Sequence, residues 1–133
     1  MAAERITLTV PAKGEYAKTV RMTASALVGR TGMTYDEVDD VRMAAEEVFV
    51  YACNHHPTSG SVTLAFELDG DGLEIKVPLS DSLRDVDEES ERRAGYATFI
   101  LQSVTDTFEM SSDEDGPYLR VTKRSAGERD DAV

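Results

Sequence analysis

The stretch from Thr34 to His56 constrains the fold most strongly, because it predicts one long amphipathic helix. Apolar residues recur in it at alternating steps of three and four, which places them on one helical face. Thr34 and Glu37 have the spacing of a capping box at its start, and Pro57 marks its end. The apolar face consists of Val38, Val41, Ala45, Val48 and Ala52.

Two carboxylates, Glu46 and Glu47, lie in the apolar middle of this predicted helix rather than at its ends. A carboxylate in such a position serves a chemical site, is paired with a cation or faces solvent. The sequence offers two arginines for pairing, Arg42 in the same helix and Arg21 in the segment before it. We favour pairing or solvent exposure over catalysis, because a general base without a phosphoryl donor has no role.

The rest of the chain predicts an α+β domain. Strictly alternating apolar residues on both sides of an Asp-Gly turn at 69–72 predict a β-hairpin. We predict a two-layer α/β sandwich, in which about three helices cover one face of a mostly antiparallel sheet. The remaining elements are a strand, a first helix, a third helix and a last strand pair, at residues 6–10, 13–30, 97–105 and 108–123. The inward positions of the first helix are Tyr16, Val20, Thr23 and Leu27.

Two stretches lack apolar periodicity. Residues 80–93 are highly charged and predict an exposed loop, whose part from Asp81 to Glu91 is a candidate lid. Residues 125–133 predict a disordered acidic tail, so the single domain is expected to span residues 1–124.

The composition disfavours several classes of function. The formal charge of −12 repels the phosphates of nucleic acids and anionic membrane surfaces. No apolar run approaches the roughly 20 residues of a transmembrane helix, and the first residues lack a signal-peptide pattern. The single cysteine, Cys53, cannot form an internal disulfide, which predicts a reducing, cytoplasmic location.

The sequence predicts no metal site and none of the common catalytic motifs. Cys53, His55 and His56 are residue types that bind zinc, but a structural zinc site needs four ligands and no second cluster exists. The G-x-S-x-G motif of hydrolases and the G-x-x-x-x-G-K-[ST] phosphate loop are both absent.

Three stretches resemble a known family: VPAKGEYAKTVRMTASAL, YDEVDDVRMAAEEVFVYACNHH and GYATFILQSVTDTFEM. They resemble the bacterial anti-sigma factor serine kinases, the RsbW/SpoIIAB-type members of the histidine-kinase-like ATPase superfamily. The resemblance extends from about Ile6 to Lys123. It implies a domain that binds a sigma factor and uses ATP and magnesium to phosphorylate a serine on an anti-anti-sigma partner.

The long helix of that family carries the motif E-x-x-x-N-A-x-x-H, which here corresponds to Glu47, Tyr51, Ala52 and His55. The family's glutamate is the general base of the kinase reaction, and its asparagine holds the magnesium ion. Tyr51 stands at the asparagine position, and a phenol is a poor and bulky ligand for magnesium. The resemblance therefore assigns catalysis to Glu47 only if an ATP site persists.

The other two nucleotide motifs also differ from the family pattern. The D-x-G motif, whose aspartate recognises adenine, corresponds to Leu79 and Asp81, and leucine accepts no hydrogen bond. The phosphate-binding G-x-G motif corresponds to Gly95-Tyr96-Ala97, with one glycine of the two. Losing the magnesium and adenine contacts together costs several kcal/mol, at about 1.5–3 kcal/mol for each charge-assisted bond. The degenerate nucleotide-site positions are Tyr51, Leu79, Asp81 and Gly95.

The partner-binding positions are better retained. Arg21 corresponds to an arginine that contacts the sigma factor in the family, although a solvated helix face explains it equally well. Glu15, Tyr16 and Arg30 are further candidates. We therefore predict an anti-sigma-factor-like regulator that binds a sigma factor or a related transcription regulator without ATP, and that an anti-anti-sigma protein relieves.

Two alternatives remain open. The first is a weakly active serine/threonine kinase that uses ATP and magnesium, with Glu47 as base and Asp81 in place of the missing acid. The second is a structural subunit that forms a homodimer through its sheet or its first helix.

Overall fold

The computed structural model describes residues 4–55, 60–79 and 88–125. These residues form five strands and three α-helices, with a short 3-10 turn at Gly14–Tyr16 before the first helix. In chain order the elements are β1 (Glu4–Pro11), α1 (Ala17–Val28), α2 (Tyr35–Asn54), β2 (Ser61–Leu68), β3 (Gly72–Pro78), α3 (Glu88–Val104), β4 (Thr107–Asp113) and β5 (Gly116–Arg124).

The strands form one sheet in the order β1-β2-β3-β5-β4, and every neighbouring pair is antiparallel. Alternate residues of β2, β3 and β5 are buried, and α2 packs across these three strands. The helices α1 and α3 pack against the two sides of α2. The predicted two-layer α+β sandwich is therefore confirmed.

The helix α2 forms as the sequence predicts. The Thr34 hydroxyl accepts a hydrogen bond from the Glu37 amide at 3.2 Å, and the Glu37 carboxylate accepts one from the Thr34 amide at 2.9 Å. This reciprocal pair is the predicted capping box. Of the five predicted apolar positions, Val38 is partly buried. The other four have no exposed surface: Val41, Ala45, Val48 and Ala52.

The buried face of α1 differs from the prediction. Val20, Ala24 and Val28 are completely buried, whereas Thr23 is partly exposed. The Thr23 hydroxyl donates to the Thr19 carbonyl at 2.8 Å, which satisfies this polar group within its own helix. A small side chain at Ala24 allows close packing against α2. Because alanine is small, an apolar period based on large residues does not predict that Ala24 is buried.

The helix α3 begins at Glu88, nine residues before the predicted start at Ala97, so residues 88–93 were wrongly assigned to a loop. Its first turns are stabilised by charge rather than by apolar periodicity. Acidic residues occupy the positive end of the helix dipole, and Arg93 pairs with Glu89 at 3.4 Å, one turn away. The part of the candidate lid from Asp81 to residue 87 lies outside the described residues.

The last strand also extends beyond the prediction, to Arg124. Ser125, the first residue of the predicted tail, donates from its amide to the Asp71 carbonyl at 2.6 Å and from its hydroxyl to the Gly32 carbonyl at 3.0 Å. Residues 126–133 of the predicted tail lie outside the described part of the chain. Among the described residues, no helix is both long enough and apolar enough to cross a membrane.

Candidate functional site

The middle of α2 is joined to α1 by an ion pair between Arg21 and Glu46. Arg21 Nη1 donates to Glu46 Oε1 at 2.6 Å, and about a third of each side chain is exposed. Of the two arginines proposed as partners for the acidic pair, Arg21 is the one used. Arg42 instead pairs with Asp39 at 3.4 Å. Arg21, which the resemblance aligns with a sigma-contacting arginine of the family, is thus held at the boundary between the two helices.

Glu47 has a different environment from its neighbour. Its side chain is partly buried, and within the described part of the chain it makes no hydrogen bond or ion pair. Burial raises the pKa of the Glu47 carboxyl, and the negative charge of Glu46 raises it further. A carboxyl with these properties accepts a proton more readily than an ordinary surface glutamate.

Tyr51, at the position of the family's magnesium ligand, belongs to the hydrophobic core. Its residue is 8% exposed, and its ring stacks on the ring of His55 with centroids 4.1 Å apart and planes 9° from parallel. His55 Nδ1–H donates to the Tyr51 carbonyl at 2.8 Å, which fixes the histidine against the helix end. Burial raises the pKa of the Tyr51 phenol, so the group is neutral.

Leu79 and Gly95, the other two described residues aligned with the family's nucleotide motifs, have structural roles in the fold. Leu79 packs against the core, and its amide donates to the Pro117 carbonyl at 2.9 Å. Gly95 lies inside α3, seven residues after its start, where backbone amides are already hydrogen-bonded to carbonyls four residues earlier. Asp81 lies outside the described residues.

No metal site was predicted, and the described residues contain no group of three or more histidine, cysteine or acidic residues able to hold an ion. Burial raises the pKa of the Cys53 thiol, which keeps it in the less reactive protonated form. His56 lies outside the described part of the chain.

The partner-binding candidates do not form one patch. Glu15 and Tyr16 lie in the 3-10 turn before α1, and Arg30 follows its other end. A helix of 12 residues is roughly 18 Å long, so Arg30 is far from the first two. Arg30 lines a separate groove with Leu27 and Leu68. Arg21, in the first half of α1, is the candidate closest to the acidic pair of α2.

Substitution of Gly95 by alanine is expected to stabilise the protein by about 0.5–1 kcal/mol, because glycine is unfavourable in a helix interior. A Cβ atom at this position meets no heavy atom within 4 Å, so no clash opposes the gain. The free energy of unfolding in urea measures the effect. A loss of stability would show that Gly95 does not have a helical environment.

A five-stranded antiparallel sheet covered on one face by helices, with a central helix carrying Glu47, defines the histidine-kinase-like ATPase class of domains. Residues 10–123 match the family model described as the histidine kinase-like ATPase domain. The chain belongs to this family.

The chain is also similar to proteins named serine-protein kinase RsbW. It is 31% identical to the one from Halalkalibacterium halodurans over 135 residues, covering 90% of this chain and 83% of that protein. The RsbW of Bacillus subtilis is 27% identical over 97% of this chain and 91% of its own length. These relatives place the chain among RsbW-like proteins, as the sequence motifs predicted.

A solved structure has the same fold. The crystal structure of the RsbU and RsbW domains of a Mycobacterium tuberculosis protein superposes with a TM-score of 0.62 and 18% sequence identity. The match covers 91% of this chain and 32% of that chain. At this identity the similarity supports the fold alone.

Proposed function

We propose that this RsbW-like domain is an anti-sigma-factor-like regulator that binds a sigma factor or a related transcription regulator without ATP. The main support is the environment of Tyr51, which is buried and stacked on His55 where the family places a magnesium ligand. We expect an anti-anti-sigma protein to release the bound partner. We expect the single domain of residues 1–124 to act in the cytoplasm.

The chemistry of magnesium supports a nucleotide-independent function. Magnesium requires oxygen ligands in nearly ideal octahedral geometry, usually carboxylates, phosphates and water. A neutral phenol packed into the core offers no such ligand. Phosphate binding by backbone amides requires amides without an intrahelical partner, and Gly95 lies within a helix.

The surface around Arg21 supports protein binding. Glu46 holds the Arg21 guanidinium in place through one of its nitrogens, which leaves other N–H groups to donate to a partner. An arginine that is already ordered loses less conformational entropy when a partner binds. Met22 on α1 and Met43 on α2 are both about half exposed, and methionine adapts to varied apolar surfaces. This surface suits a partner with a carboxylate among apolar side chains.

Titration of the full chain with magnesium-ATP in a calorimeter is the test. We expect no saturable binding below the millimolar range, because Tyr51 and Leu79 stand where the resemblance places the magnesium and adenine contacts. The RsbW of Bacillus subtilis, measured in the same buffer, is the positive control. Saturable micromolar binding would overturn the nucleotide-independent function.

The alternative is a weakly active serine/threonine kinase that phosphorylates an anti-anti-sigma partner. The observation in its favour is Glu47, whose raised pKa and lack of a partner among the described residues suit a general base. Phosphate transfer from labelled ATP to an anti-anti-sigma protein, lost in Glu47→Gln, would support it. Transfer that persists in that variant would point to a contaminating kinase.

A further inference from the structure

A cavity of about 220 Å³ opens on the face of the sheet that the helices leave uncovered. Ala65 of β2 explains its position. In the sheet Ala65 lies between Thr7 of β1 and Lys76 of β3, so a small side chain is flanked by two longer ones. We call this space the outer-face cavity, and its walls include Arg5, Thr7, Lys76, Asp113, Asp115 and Tyr118.

Tyr118 forms an apolar wall of the outer-face cavity. Its residue is only 9% exposed, although it does not belong to the core cluster beneath the helices. The Lys76 ammonium lies 4.4 Å from the centre of the Tyr118 ring, and the Arg120 guanidinium carbon lies 5.6 Å from it, which are cation–π distances. Lys76 Nζ also donates to the Asp113 carboxylate at 3.0 Å. These contacts hold the ring and the ammonium in place before a ligand binds, which lowers the entropy cost of binding.

The β1 side of the outer-face cavity offers hydrogen-bond donors to an anion. Arg5 Nη1 donates to the Glu67 carboxylate at 3.3 Å, which is longer than the roughly 2.7–2.9 Å of a good charge-assisted bond. The Arg5 side chain is 61% exposed, so its guanidinium can reach a ligand. Within the described part of the chain the Thr7 hydroxyl makes no hydrogen bond. A ligand carboxylate can therefore accept from both side chains.

The turn between β4 and β5 offers an acceptor on the other side of the cavity. The Asp115 amide donates to the Asp113 carboxylate at 2.9 Å, but the Asp115 carboxylate makes no ion pair with a described residue. Asp113 is already engaged by Lys76, whose hydrogen bond lowers the pKa of the Asp113 carboxyl and keeps it charged. Two strands lie between β1 and β5, which places these strands about 14 Å apart. The cationic and acidic sides of the cavity are thus well separated.

The charges of the outer-face cavity favour a ligand that carries both signs. Among the described residues, two cations and two carboxylates line it: Arg5, Lys76, Asp113 and Asp115. A ligand with only negative groups would meet two carboxylates, and one with only positive groups would meet two cations. We propose that the outer-face cavity binds a small zwitterion of dipeptide size, with its carboxylate at Arg5 and Thr7 and its ammonium at Asp115. This inference does not rest on the proposed function.

The volume of the cavity and the separation of its charges decide which zwitterion fits. A volume of 220 Å³ is roughly seven times the share of one water molecule in the liquid, and drug-sized ligands need about 300–1,000 Å³. The ligand is therefore small. In a free α-amino acid both charged groups are bonded to one carbon, whereas a dipeptide carries them at its two ends. A dipeptide of small residues matches the separated sides of the cavity better.

Titration of the isotope-labelled full chain with alanyl-alanine, followed by NMR, tests the proposal. Because the ligand is small, we expect weak but saturable binding, with a dissociation constant of about 0.1–10 mM. The backbone amide shifts should change most at Thr7, Ala65 and Lys76. Leucine, a single amino acid, should bind about tenfold or more weakly, because it cannot reach both sides.

Two blocked dipeptides test the two ends of the ligand separately. The N-acetyl form of alanyl-alanine lacks the ammonium, and its amide form lacks the carboxylate, so each should bind about tenfold or more weakly. Asp115→Asn should weaken binding of alanyl-alanine by a similar factor but leave that of the N-acetyl form unchanged, because the contact is already absent. Arg5→Gln should have the corresponding effect on the amide form. Asp71→Asn removes an exposed acid from the turn between β2 and β3 and should change neither.

Ala65→Leu fills the centre of the outer-face cavity and should abolish binding. Ala65→Ser keeps the space and should bind alanyl-alanine as the parent chain does. The NMR spectrum of each variant also reports whether the fold is retained. Asp115 and Arg5 are exposed, so their variants decide the question if Ala65→Leu does not fold.

Three results would overturn the proposal. The first is an absence of saturable shift changes at about 50 mM alanyl-alanine. The second is equal binding of the free and the blocked dipeptides, which would exclude recognition of a zwitterion. The third is unchanged binding by folded Ala65→Leu, which would place the ligand elsewhere on the protein.

Discussion

Arg21→Glu is expected to weaken binding to the sigma factor that we propose as the partner by about 100-fold or more. Removing one member of a charged contact at an interface costs about 2–5 kcal/mol, and about 2.7 kcal/mol corresponds to 100-fold. Reversal also places a third carboxylate beside Glu46 and Glu47, which repels an acidic partner residue. Calorimetric titration of the parent chain and of Arg21→Glu with each purified sigma factor of the host measures the loss of affinity.

The matched control is the exchange of both charges, Arg21→Glu with Glu46→Arg. This double variant restores an ion pair between α1 and α2, so the free energy of unfolding should recover relative to Arg21→Glu alone. Partner binding should not recover, because the charge on α1 remains reversed. Equal affinity of the parent chain and both variants would exclude Arg21 from the interface. Recovery of both stability and binding would mean that Arg21 acts only by joining the helices.

The parts of the fold that sequence could predict are those where two independent local signals agree. The helix α2 has both a capping box and a 3.6-residue apolar period, and it forms from Tyr35 to Asn54. The hairpin of β2 and β3 combines strict alternation with an Asp-Gly turn. The start of α3 could not be located in this way. Its first turns are stabilised by acidic residues and an Arg93–Glu89 pair, which an apolar period does not detect.

The candidate site shows the same division between local and long-range information. The sequence alone aligned Tyr51 with the magnesium-binding asparagine of the family motif, because a motif of fixed spacing is local. It could not decide between Arg21 and Arg42 as the partner of the acidic pair, since that choice depends on how α1 packs against α2. Nor could it reveal that Tyr96 and Phe99 face solvent, because this depends on which side of α3 contacts α2.

Gly72→Ala is expected to destabilise the fold by about 1–3 kcal/mol, the usual cost of forcing an extra methyl group into a packed site. Gly72 is buried at the start of β3, opposite Arg124 of β5. A Cβ atom there would lie 2.5 Å from the Lys123 carbonyl oxygen and 2.9 Å from the Arg124 Cα. Both obstacles are backbone atoms, so a side-chain rotation cannot relieve the clash, and the two strands must separate.

Separation of the strands at this point also disturbs the turn before β3. The Asp69 carboxylate accepts hydrogen bonds from the Asp71 and Gly72 amides at 3.0 and 3.1 Å, and it pairs with Arg124 at 3.2 Å. These contacts, led by the Asp71 amide, hold the pKa of Asp69 below its ordinary value. The turn and the strand contact are therefore one unit, and loss of stability in Gly72→Ala should be accompanied by a rise in the pKa of Asp69. Urea unfolding measures the free energy of unfolding, and a carboxyl NMR titration measures the pKa of Asp69.

The control is Gly14→Ala, where a Cβ meets no atom within 4 Å, so this variant should change neither quantity. An unchanged unfolding free energy in Gly72→Ala would mean that β3 and β5 are not in close contact at this position.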